Sequence, residues 1–314
     1  MRSLPPLGLL LDVDGPIASP ETRRVPEGIL TALVDLAGRG APVVFNTGRS
    51  ADFILQQLAA PLLAAGLPAD ARFHAVCEKG AVQFSFAELT PLITGHPGHD
   101  AGLPRATRGT SVPDWVQVDS DMRLPADLES SLVRLLDDYA DSMFYDDTKL
   151  AMFSAEMTVG LELERYREAQ AHFEAEVTGL LASSGTGAEA GGAFQLDSTI
   201  ISSDVEHVSS GKDLGAARGW ERVAADGELP VQWFTCGDSR TDYAMADWLH
   251  AHGDRVTHVD VRHEDGVPET PYPVLTGEDL AAKGFGAHGS RHEEAGQALL
   301  EWALNTNGSP NATL

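Results

Sequence analysis

The sequence predicts an α/β protein in which a parallel sheet is interrupted by an inserted α+β domain. Short apolar runs alternate with amphipathic helical segments over residues 1–84, and the same alternation returns from residue 198. Residues 85–197 differ, being rich first in Gly, Pro and His and then in short strand-like runs. Because strand–helix–strand repeats favour right-handed parallel crossovers, we expect the two flanking parts to share one sheet.

The first half of the predicted core contains three strands and two helices. Gly8–Leu11 is a continuous apolar run, as expected for a strand that is buried on both faces. A helix over Glu27–Gly38 has an apolar stripe and stops before Gly40. The next elements are a strand at residues 42–45, a helix at 51–65 and a strand at 73–76.

The inserted domain is predicted over residues 85–197, and the core over residues 1–84 and 198–314. Loops are expected at residues 95–113 and 183–192. The insert contains predicted strands at 115–118, 143–145, 150–154 and 194–196, and helices at 125–139 and 164–181. The core then resumes with a helix that begins at Lys212, strands at 231–235 and 256–261, and helices at 242–250 and 293–304.

Composition excludes several classes of partner. The 314 residues include 47 acidic and 22 basic side chains, which give a formal net charge of -25. Such a chain repels nucleic acid and anionic membranes, so neither is an expected partner. Cys77 and Cys236 each end an apolar run, which indicates buried reduced thiols. The first apolar stretch is too short for a signal peptide, and no run reaches the ~20 residues of a membrane span, so we expect a cytoplasmic protein.

Two carboxylates follow the first predicted strand. Asp12 and Asp14 leave it together in the run LLLDVDG, and Gly15 allows the backbone to turn closely over a ligand. An Asp after a strand is often only a turn or capping residue. Two acids after an apolar run are costly without a cation, so a bound cation is the favoured interpretation.

Three further strand ends carry polar groups. The second ends in NTGRS, which offers the Thr47 hydroxyl and the backbone N–H groups of Gly48 and Arg49 to an anion at a helix start. Lys212 begins a helix after a short strand. The strand at 231–235 is followed by Asp238 in a turn and Asp242 on the next helix, where Asp242 is equally consistent with capping. Because ligands of open α/β sheets bind at the carboxyl ends of strands, these groups predict one shared crevice.

The segments DVDG (12–15), NTGRS (46–50), GKDLG (211–215) and GDSRTD (237–242) resemble, in order, the four motifs of the haloacid dehalogenase (HAD) superfamily. The resemblance covers about residues 1–84 and 198–280. An insert between the second and third motifs is similar to the C2 cap of the type IIB branch, which includes sucrose-phosphatase-like, trehalose-phosphatase-like and Cof-like enzymes. Lys79 stands where that family often has Asn, and Pro16 replaces its usual Thr.

The resemblance implies a Mg²⁺-dependent phosphatase that acts on a small phosphorylated metabolite, most simply a sugar phosphate. Asp12 is then the nucleophile that forms an aspartyl-phosphate, and Asp14 is the general acid and base. Thr47, Gly48, Arg49 and Lys212 are expected to bind phosphoryl oxygens, with Lys212 also neutralising Asp12. Asp12, Asp238 and the backbone carbonyl of Asp14 are the expected Mg²⁺ ligands, and Asp242 is a supporting residue.

Two other functions stay open at this point: a phosphomannomutase-like phosphosugar mutase and a silent sugar-phosphate-binding protein. Gly211–Lys212 lacks the remaining residues of a P-loop. Several polar groups are also candidates, with a structural role favoured for most of them. These are the His96 and His99 pair, the group of His258, Asp260 and His263, the group of Asp146, Asp147 and Lys149, and the arginines Arg105 and Arg108.

Overall fold

The computed structural model describes residues 7–89, 103–110 and 112–306, which form two compact units. The core unit comprises the described residues up to Arg105, Pro113–Val116 and those from Gly211 onward. The inserted unit comprises Ala106–Val112 and Gln117–Ser210. The described strands are β1 (Gly8–Leu11), β2 (Val43–Asn46), β3 (Phe73–Cys77), β4 (Val82–Ser85), β5 (Gln117–Val118), β6 (Met143–Tyr145), β7 (Phe153–Met157), β8 (Phe194–Ser198), β9 (Ser202–His207), β10 (Trp233–Gly237), β11 (Val256–Asp260) and β12 (Val274–Thr276).

The α-helices agree with most of the sequence-based expectations. A π-helical turn, Leu55–Ala59, joins α2 and α3 into one helical segment. The described helices are α1 (Glu27–Gly38), α2 (Ala51–Ile54), α3 (Ala60–Ala64), α4 (Ala126–Leu136), α5 (Leu163–Ser184), α6 (Lys212–Asp226), α7 (Tyr243–His252), α8 (Gly277–Ala282) and α9 (His292–Asn305). No helix in the described ranges combines the length and the apolar character that a bilayer crossing requires.

In the core unit, seven strands lie in the order β12, β11, β10, β1, β2, β3, β4. All neighbours pair in parallel except β3 and β4, which are antiparallel. All four residues of β1 are buried, as its continuous apolar sequence predicts for a strand covered on both faces. The chain runs from β1 to β2 and β3 on one side and returns at β10 on the other. The strand order therefore changes direction at β1, which is where open α/β sheets bind ligands.

The last helix packs against the loop that follows β1. A Cβ atom at Gly296 of α9 would lie 1.8 Å from the carbonyl oxygen of Pro16, so this approach is possible only for glycine. Cys77 and Cys236 are both buried, as their apolar runs predict, and they are not joined in a disulfide.

The inserted unit is a four-stranded antiparallel sheet in the order β6, β7, β9, β8. Its apolar core is built by α4, α5 and alternate strand residues, including Leu132, Phe153, Phe173 and Val205. The strand expected at 150–154 lies at Phe153–Met157 instead, because Leu150 to Met152 form a buried bend before it.

The inserted unit ends later in the chain than residue 197. Strand β9 pairs with β7 and β8, and its hydrogen bonds place residues 202–207 in the inserted sheet. The core resumes at Gly211, immediately before Lys212.

Candidate active site

The predicted site residues meet at one edge of the core sheet. Asp12 and Asp14 follow β1, and Thr47 follows β2. Lys212 is the first residue of α6, and Asp238 follows β10. Because β1, β2 and β10 are parallel neighbours, their carboxyl ends share this edge, and the side-chain contacts given below connect the residues.

The Lys212 ammonium group is the centre of the site. Its Nζ lies 2.7 Å from Asp12 Oδ1 and 2.7 Å from Asp242 Oδ1. It also donates to the backbone carbonyl of Asn46 at 3.0 Å, so all three ammonium donors are used. Burial opposes the charge of Lys212, but the two carboxylates outweigh burial and raise its pKa above the ordinary value. Lys212 is therefore a buried cation at neutral pH.

Close packing of α6 on β2 explains why Lys212 reaches this position. A Cβ atom at Gly215 would lie 1.9 Å from Asn46 Oδ1, and one at Gly219 would lie 2.6 Å from Val44 Cγ1. The side-chain amide of Asn46 donates to the Lys212 carbonyl at 2.8 Å. The second glycine of the GKDLG segment therefore has a steric role, because any side chain there would push α6 off the sheet.

Asp12 is buried and crowded by negative charge. Its Oδ1 accepts the backbone N–H of Val13 at 2.7 Å, in addition to the contact with Lys212. Burial raises the pKa of Asp12 well above the ordinary value; Lys212 opposes this shift, whereas Asp242 and Asp14 add to it. Lys212 thus offsets only part of the effect of burial and of the neighbouring carboxylates on the pKa of Asp12.

Asp242 connects the loop after β10 to Lys212. Its Oδ2 accepts the backbone N–H groups of Asp238 at 3.1 Å and Ser239 at 3.0 Å, and the Ser239 hydroxyl at 2.7 Å. Burial raises the pKa of Asp242, but Lys212 and these hydrogen bonds outweigh burial and hold the pKa below its ordinary value. Asp242 therefore makes both the capping contacts and the Lys212 contact that the sequence leaves as alternatives.

The acidic residues of the site fit a divalent cation. Asp12, Asp238 and Asp242 each have an oxygen that lies within 4.8 Å of the other two. Burial raises the pKa of Asp238, and the charge of Asp242 raises it further. Gly15, at φ 87°, allows the backbone to pass close to Asp238, since a Cβ there would lie 2.7 Å from Asp238 Oδ2. Hard carboxylate oxygens are the ligands that Mg²⁺ prefers.

Asp14 faces a cation that the sequence analysis did not assign to it. The Arg49 guanidinium donates from Nε to Asp14 Oδ2 at 2.9 Å and from Nη2 to Asp14 Oδ1 at 2.9 Å. This pair is half-exposed, with 37% of the Asp14 side chain accessible. Only the backbone N–H of Arg49 was expected to act. The positions of the two residues could have indicated this pairing. Asp14 lies three residues after the end of β1, and Arg49 lies three residues after the end of the neighbouring parallel strand β2.

The loop after β2 differs in detail from the predicted anion site. Thr47 is fully buried, and its Oγ1 accepts the backbone N–H of Arg49 at 3.1 Å, so that N–H already has a partner. The helix cap is Ser50, whose Oγ accepts the N–H of Phe53 at 3.2 Å. Thr47 is therefore not the N-cap, and a bound anion must displace the hydrogen bond between Thr47 and Arg49 to use that N–H.

The remaining candidates have structural contacts or lie elsewhere. Arg105 pairs with Asp52 at 2.8 Å. Asp146 accepts hydrogen bonds from the N–H and hydroxyl of Thr148, which supports the tight turn favoured for this segment. His258 is fully buried in the core unit and hydrogen-bonds to Thr235 at 2.8 Å. His96 and His99 lie outside the described residues.

The fold is similar to that of several solved proteins. A haloacid dehalogenase-like hydrolase from Bacteroides thetaiotaomicron matches with a TM-score of 0.56 and 11% identity, over 88% of this chain and 97% of that one. The C-terminal domain of trehalose-6-phosphate phosphatase from C. albicans matches with a TM-score of 0.56 and 11% identity, over 97% and 92%. Trehalose-6-phosphate phosphatase from Aspergillus fumigatus matches with a TM-score of 0.53 and 13% identity, over 97% and 94%.

No protein-family model matches the chain, and no curated protein matches it in sequence. At 11–13% identity, the structural likeness concerns the fold. It confirms the predicted HAD-like α/β architecture with its mainly parallel sheet.

Proposed function

We propose that this chain is a Mg²⁺-dependent phosphomonoester hydrolase that acts on a small phosphorylated metabolite, with a sugar phosphate as the favoured class. The observation that carries the proposal is the buried contact of 2.7 Å between Asp12 and Lys212 at the carboxyl ends of β1 and β2. A buried acid beside a fixed cation, with a second acid on the rim, provides a nucleophile, charge neutralisation and a proton carrier in one crevice.

In the first step an oxygen of Asp12 attacks phosphorus. The bond between phosphorus and the ester oxygen breaks, and the phosphoryl group is held as an aspartyl-phosphate. Water then attacks phosphorus and releases inorganic phosphate, which restores the Asp12 carboxylate. Lys212 stabilises negative charge on Asp12 and on the phosphoryl oxygens without moving, because Asp242 and the Asn46 carbonyl already fix its position.

Asp12 and Asp238 provide the carboxylate oxygens that would hold Mg²⁺, together with the backbone carbonyl of Asp14, and Asp242 supports the site by holding Lys212 beside them. The bound ion supplies charge neutralisation between the nucleophilic carboxylate and the phosphate. The raised pKa values of Asp12 and Asp238 support this assignment, since a crevice with too little positive charge favours protonated acids.

Asp14 is the residue proposed to carry the proton. It gives a proton to the leaving oxygen in the first step and takes one from water in the second. With both oxygens bonded to Arg49, the carboxylate can only accept hydrogen bonds. A substrate phosphate competes for the same guanidinium, so its arrival releases Asp14 for proton transfer. Arg49 therefore contributes to phosphate binding through its side chain rather than through its backbone alone.

Two observations bear on the substrate class. Two of the similar structures are described as trehalose-6-phosphate phosphatases, which favours a phosphorylated sugar. The net charge of -25 also means that a phosphate monoester reaches the site only through local cations, which Lys212 and Arg49 provide.

The test is phosphate release from a panel of sugar phosphates and other small phosphomonoesters, with Mg²⁺ and with EDTA. We expect metal-dependent release by the wild type and by Asp35→Asn, a matched change on the exposed surface of α1, and a loss on the order of 10⁴-fold or more in Asp12→Asn. No release from any compound with Mg²⁺ present contradicts the proposal. Isomerised sugar phosphate without free phosphate identifies a mutase instead.

A further inference from the structure

The inserted unit contains a cavity that the proposed phosphatase chemistry does not use. Its volume is about 300 Å³, at the lower end of the ~300–1,000 Å³ range of small-molecule sites. The wall is formed by residues 107–110 and Val112, by the start of α4 with the residues before it, and by Leu150. The lining side chains that matter here are Thr107, Arg108, Thr110, Arg123, Leu124 and Glu129.

Arg108 holds the wall together through its own contacts. Its Nη1 forms an ion pair with Glu129, while Nε donates to the carbonyl of Lys149 at 2.6 Å and Nη2 to the carbonyl of Met152 at 2.9 Å. The other oxygen of Glu129 accepts the hydroxyl of Tyr145 at 2.5 Å. The charges of Arg108 and Glu129 therefore cancel within the wall and are not directed at a ligand.

Arg123 is in a different position. Its side chain is exposed, and within the described ranges it makes one hydrogen bond, from Nε to the carbonyl of Leu150 at 3.2 Å. That bond anchors the guanidinium at the cavity and leaves both Nη groups for an acceptor. A carboxylate or phosphate can accept two parallel hydrogen bonds from such a planar group.

The threonine hydroxyls add a second kind of contact. Thr110 Oγ1 donates to the carbonyl of Thr107 at 2.8 Å, and the two hydroxyl oxygens lie 3.2 Å apart. Because Thr110 has used its proton, Thr107 donates to Thr110, and Thr110 Oγ1 also accepts the backbone N–H of Thr107 at 3.4 Å. Thr107 Oγ1 therefore keeps two lone pairs that accept from ligand hydroxyls. Val112 and Ala126 are the accessible apolar residues of the wall and provide surface for a carbon skeleton, whereas Leu124 and Leu150 are buried behind them.

We propose that this cavity binds a small hydroxylated organic anion, with its acid group on Arg123 and a hydroxyl group on Thr107. The paired Arg108 and Glu129 leave Arg123 as the charge that selects the ligand. In a chain with a net charge of -25, one exposed guanidinium in a concave site gives local attraction to an anion that the rest of the surface repels.

The experiment is calorimetric titration of the full chain with sodium gluconate in the absence of divalent cations. Gluconate is a six-carbon hydroxylated carboxylate without a phosphate ester, so it does not report on phosphate binding near Lys212. We expect saturable binding to the wild type and to Arg134→Gln, a matched change at an exposed arginine of α4 outside the cavity. Arg123→Gln should bind about tenfold more weakly, the loss expected for a charge-assisted hydrogen bond.

Two further ligands test the charge contact and the hydroxyl contact separately. Hexanoate keeps the charge without hydroxyls, and sorbitol keeps hydroxyls without charge, so each should bind more weakly than gluconate. The proposal is overturned if gluconate shows no saturable binding to the wild type, or binds Arg123→Gln and Arg134→Gln equally.

The source of the anion is identified by kinetics on a substrate from the phosphate-release panel. Gluconate that raises KM alone shows that occupation of the cavity competes with substrate binding. Gluconate that changes kcat shows that it holds a separate metabolite. Either effect supports the site if Arg123→Gln removes it and Arg134→Gln keeps it.

Discussion

The crevice of the core unit and the cavity of the inserted unit have opposite charge balances. In the crevice, Lys212 pairs with Asp12 and Asp242, Arg49 pairs with Asp14, and Asp238 adds a fourth carboxylate. The cavity is lined by two arginines and one acid, Glu129, which pairs with Arg108. The crevice is therefore suited to a metal cation, and the cavity to an organic anion.

Each region contains two kinds of charged group: those whose hydrogen-bonding capacity is already used, and those that are accessible to a ligand. Asp242 is buried, Lys212 has 10% of its side chain accessible, and both are fully bonded, so they define the shape of the crevice and do not adapt to a ligand. Arg108 has the same role in the cavity wall. Arg49 and Arg123 are the more accessible cations in the two regions, and each is placed to exchange its present contacts for those of an anion. The location of a charge thus says less about its role than the number of partners that it already has.

After the loss in Asp12→Asn, the largest expected effect is on turnover in Asp14→Asn. Removing a general acid typically costs 10²–10⁴-fold, and the loss depends on how poor the leaving group is. We expect a loss in this range with alkyl phosphates and a much smaller loss with p-nitrophenyl phosphate, which needs no proton. Steady-state kinetics on both substrates measure the difference. Equal losses contradict the acid role of Asp14.

The next effect is on stability, in Lys212→Met. Removing one partner of a buried ion pair typically costs about 3–5 kcal/mol, because uncompensated charge stays buried. We expect a loss of that size in urea unfolding with EDTA present, and a smaller loss with Mg²⁺, which replaces part of the missing positive charge. The matched variant Lys283→Met, at an exposed lysine, should unfold like the wild type. A small loss for Lys212→Met shows that the crevice is less dry than its geometry indicates.

The third expected effect is on the pH dependence of stability, which a buried histidine of the core unit should influence and an exposed histidine of the inserted unit should not. Burial lowers the pKa of His258 to about 4, against the opposing charges of Asp242 and Asp260. Unfolded histidine takes up a proton near pH 6.5, whereas the folded one does not, so stability falls as the pH decreases from 6.5 to about 4. The shift corresponds to about 3 kcal/mol.

His258→Gln should remove this part of the pH dependence of the unfolding free energy. The control is His172→Gln, on the exposed surface of α5, which should keep the wild-type dependence. Parallel pH profiles for wild type and His258→Gln contradict the assignment of a neutral buried imidazole.

The smallest expected effects are on the free energy of unfolding, in variants of the two arginines of the cavity. Arg108→Met leaves Glu129 with the Tyr145 hydroxyl as its remaining described partner and should destabilise the chain by about 1–3 kcal/mol. Arg123→Gln loses one exposed hydrogen bond and should change stability by less than about 0.5 kcal/mol. Chemical unfolding of both variants measures the contrast. Equal losses show that Arg123 also belongs to the wall.

The sequence predicts the core better than the details of the crevice. Strand β1 and helix α1 have the expected bounds, since a continuous apolar run and an amphipathic stripe are strong local signals. The site residues also meet as expected, because parallel strands place their carboxyl ends together. The partner of Asp14 was not predicted, since a pairing between side chains of different loops depends on tertiary geometry and not on local pattern.

The inserted unit was predicted less accurately for a related reason. Strand β9, with the sequence SSDVEH, has few apolar residues, and its membership of the inserted sheet depends on pairing with β7 and β8. The cavity could not be predicted at all, because Arg108 and Arg123 have the same residue type and differ only in their partners.

The pairing of β1 with β10 has a consequence for the order in which the chain is made. Asp12 leaves the ribosome more than 200 residues before the strand that completes its crevice, and Lys212 and the final helix also come late. At about 5–20 residues per second, this interval is about 10–45 s. During synthesis one edge of the central strand has no neighbour, and Asp12 has no cation beside it. The crevice is thus incomplete until the last third of the chain has been translated.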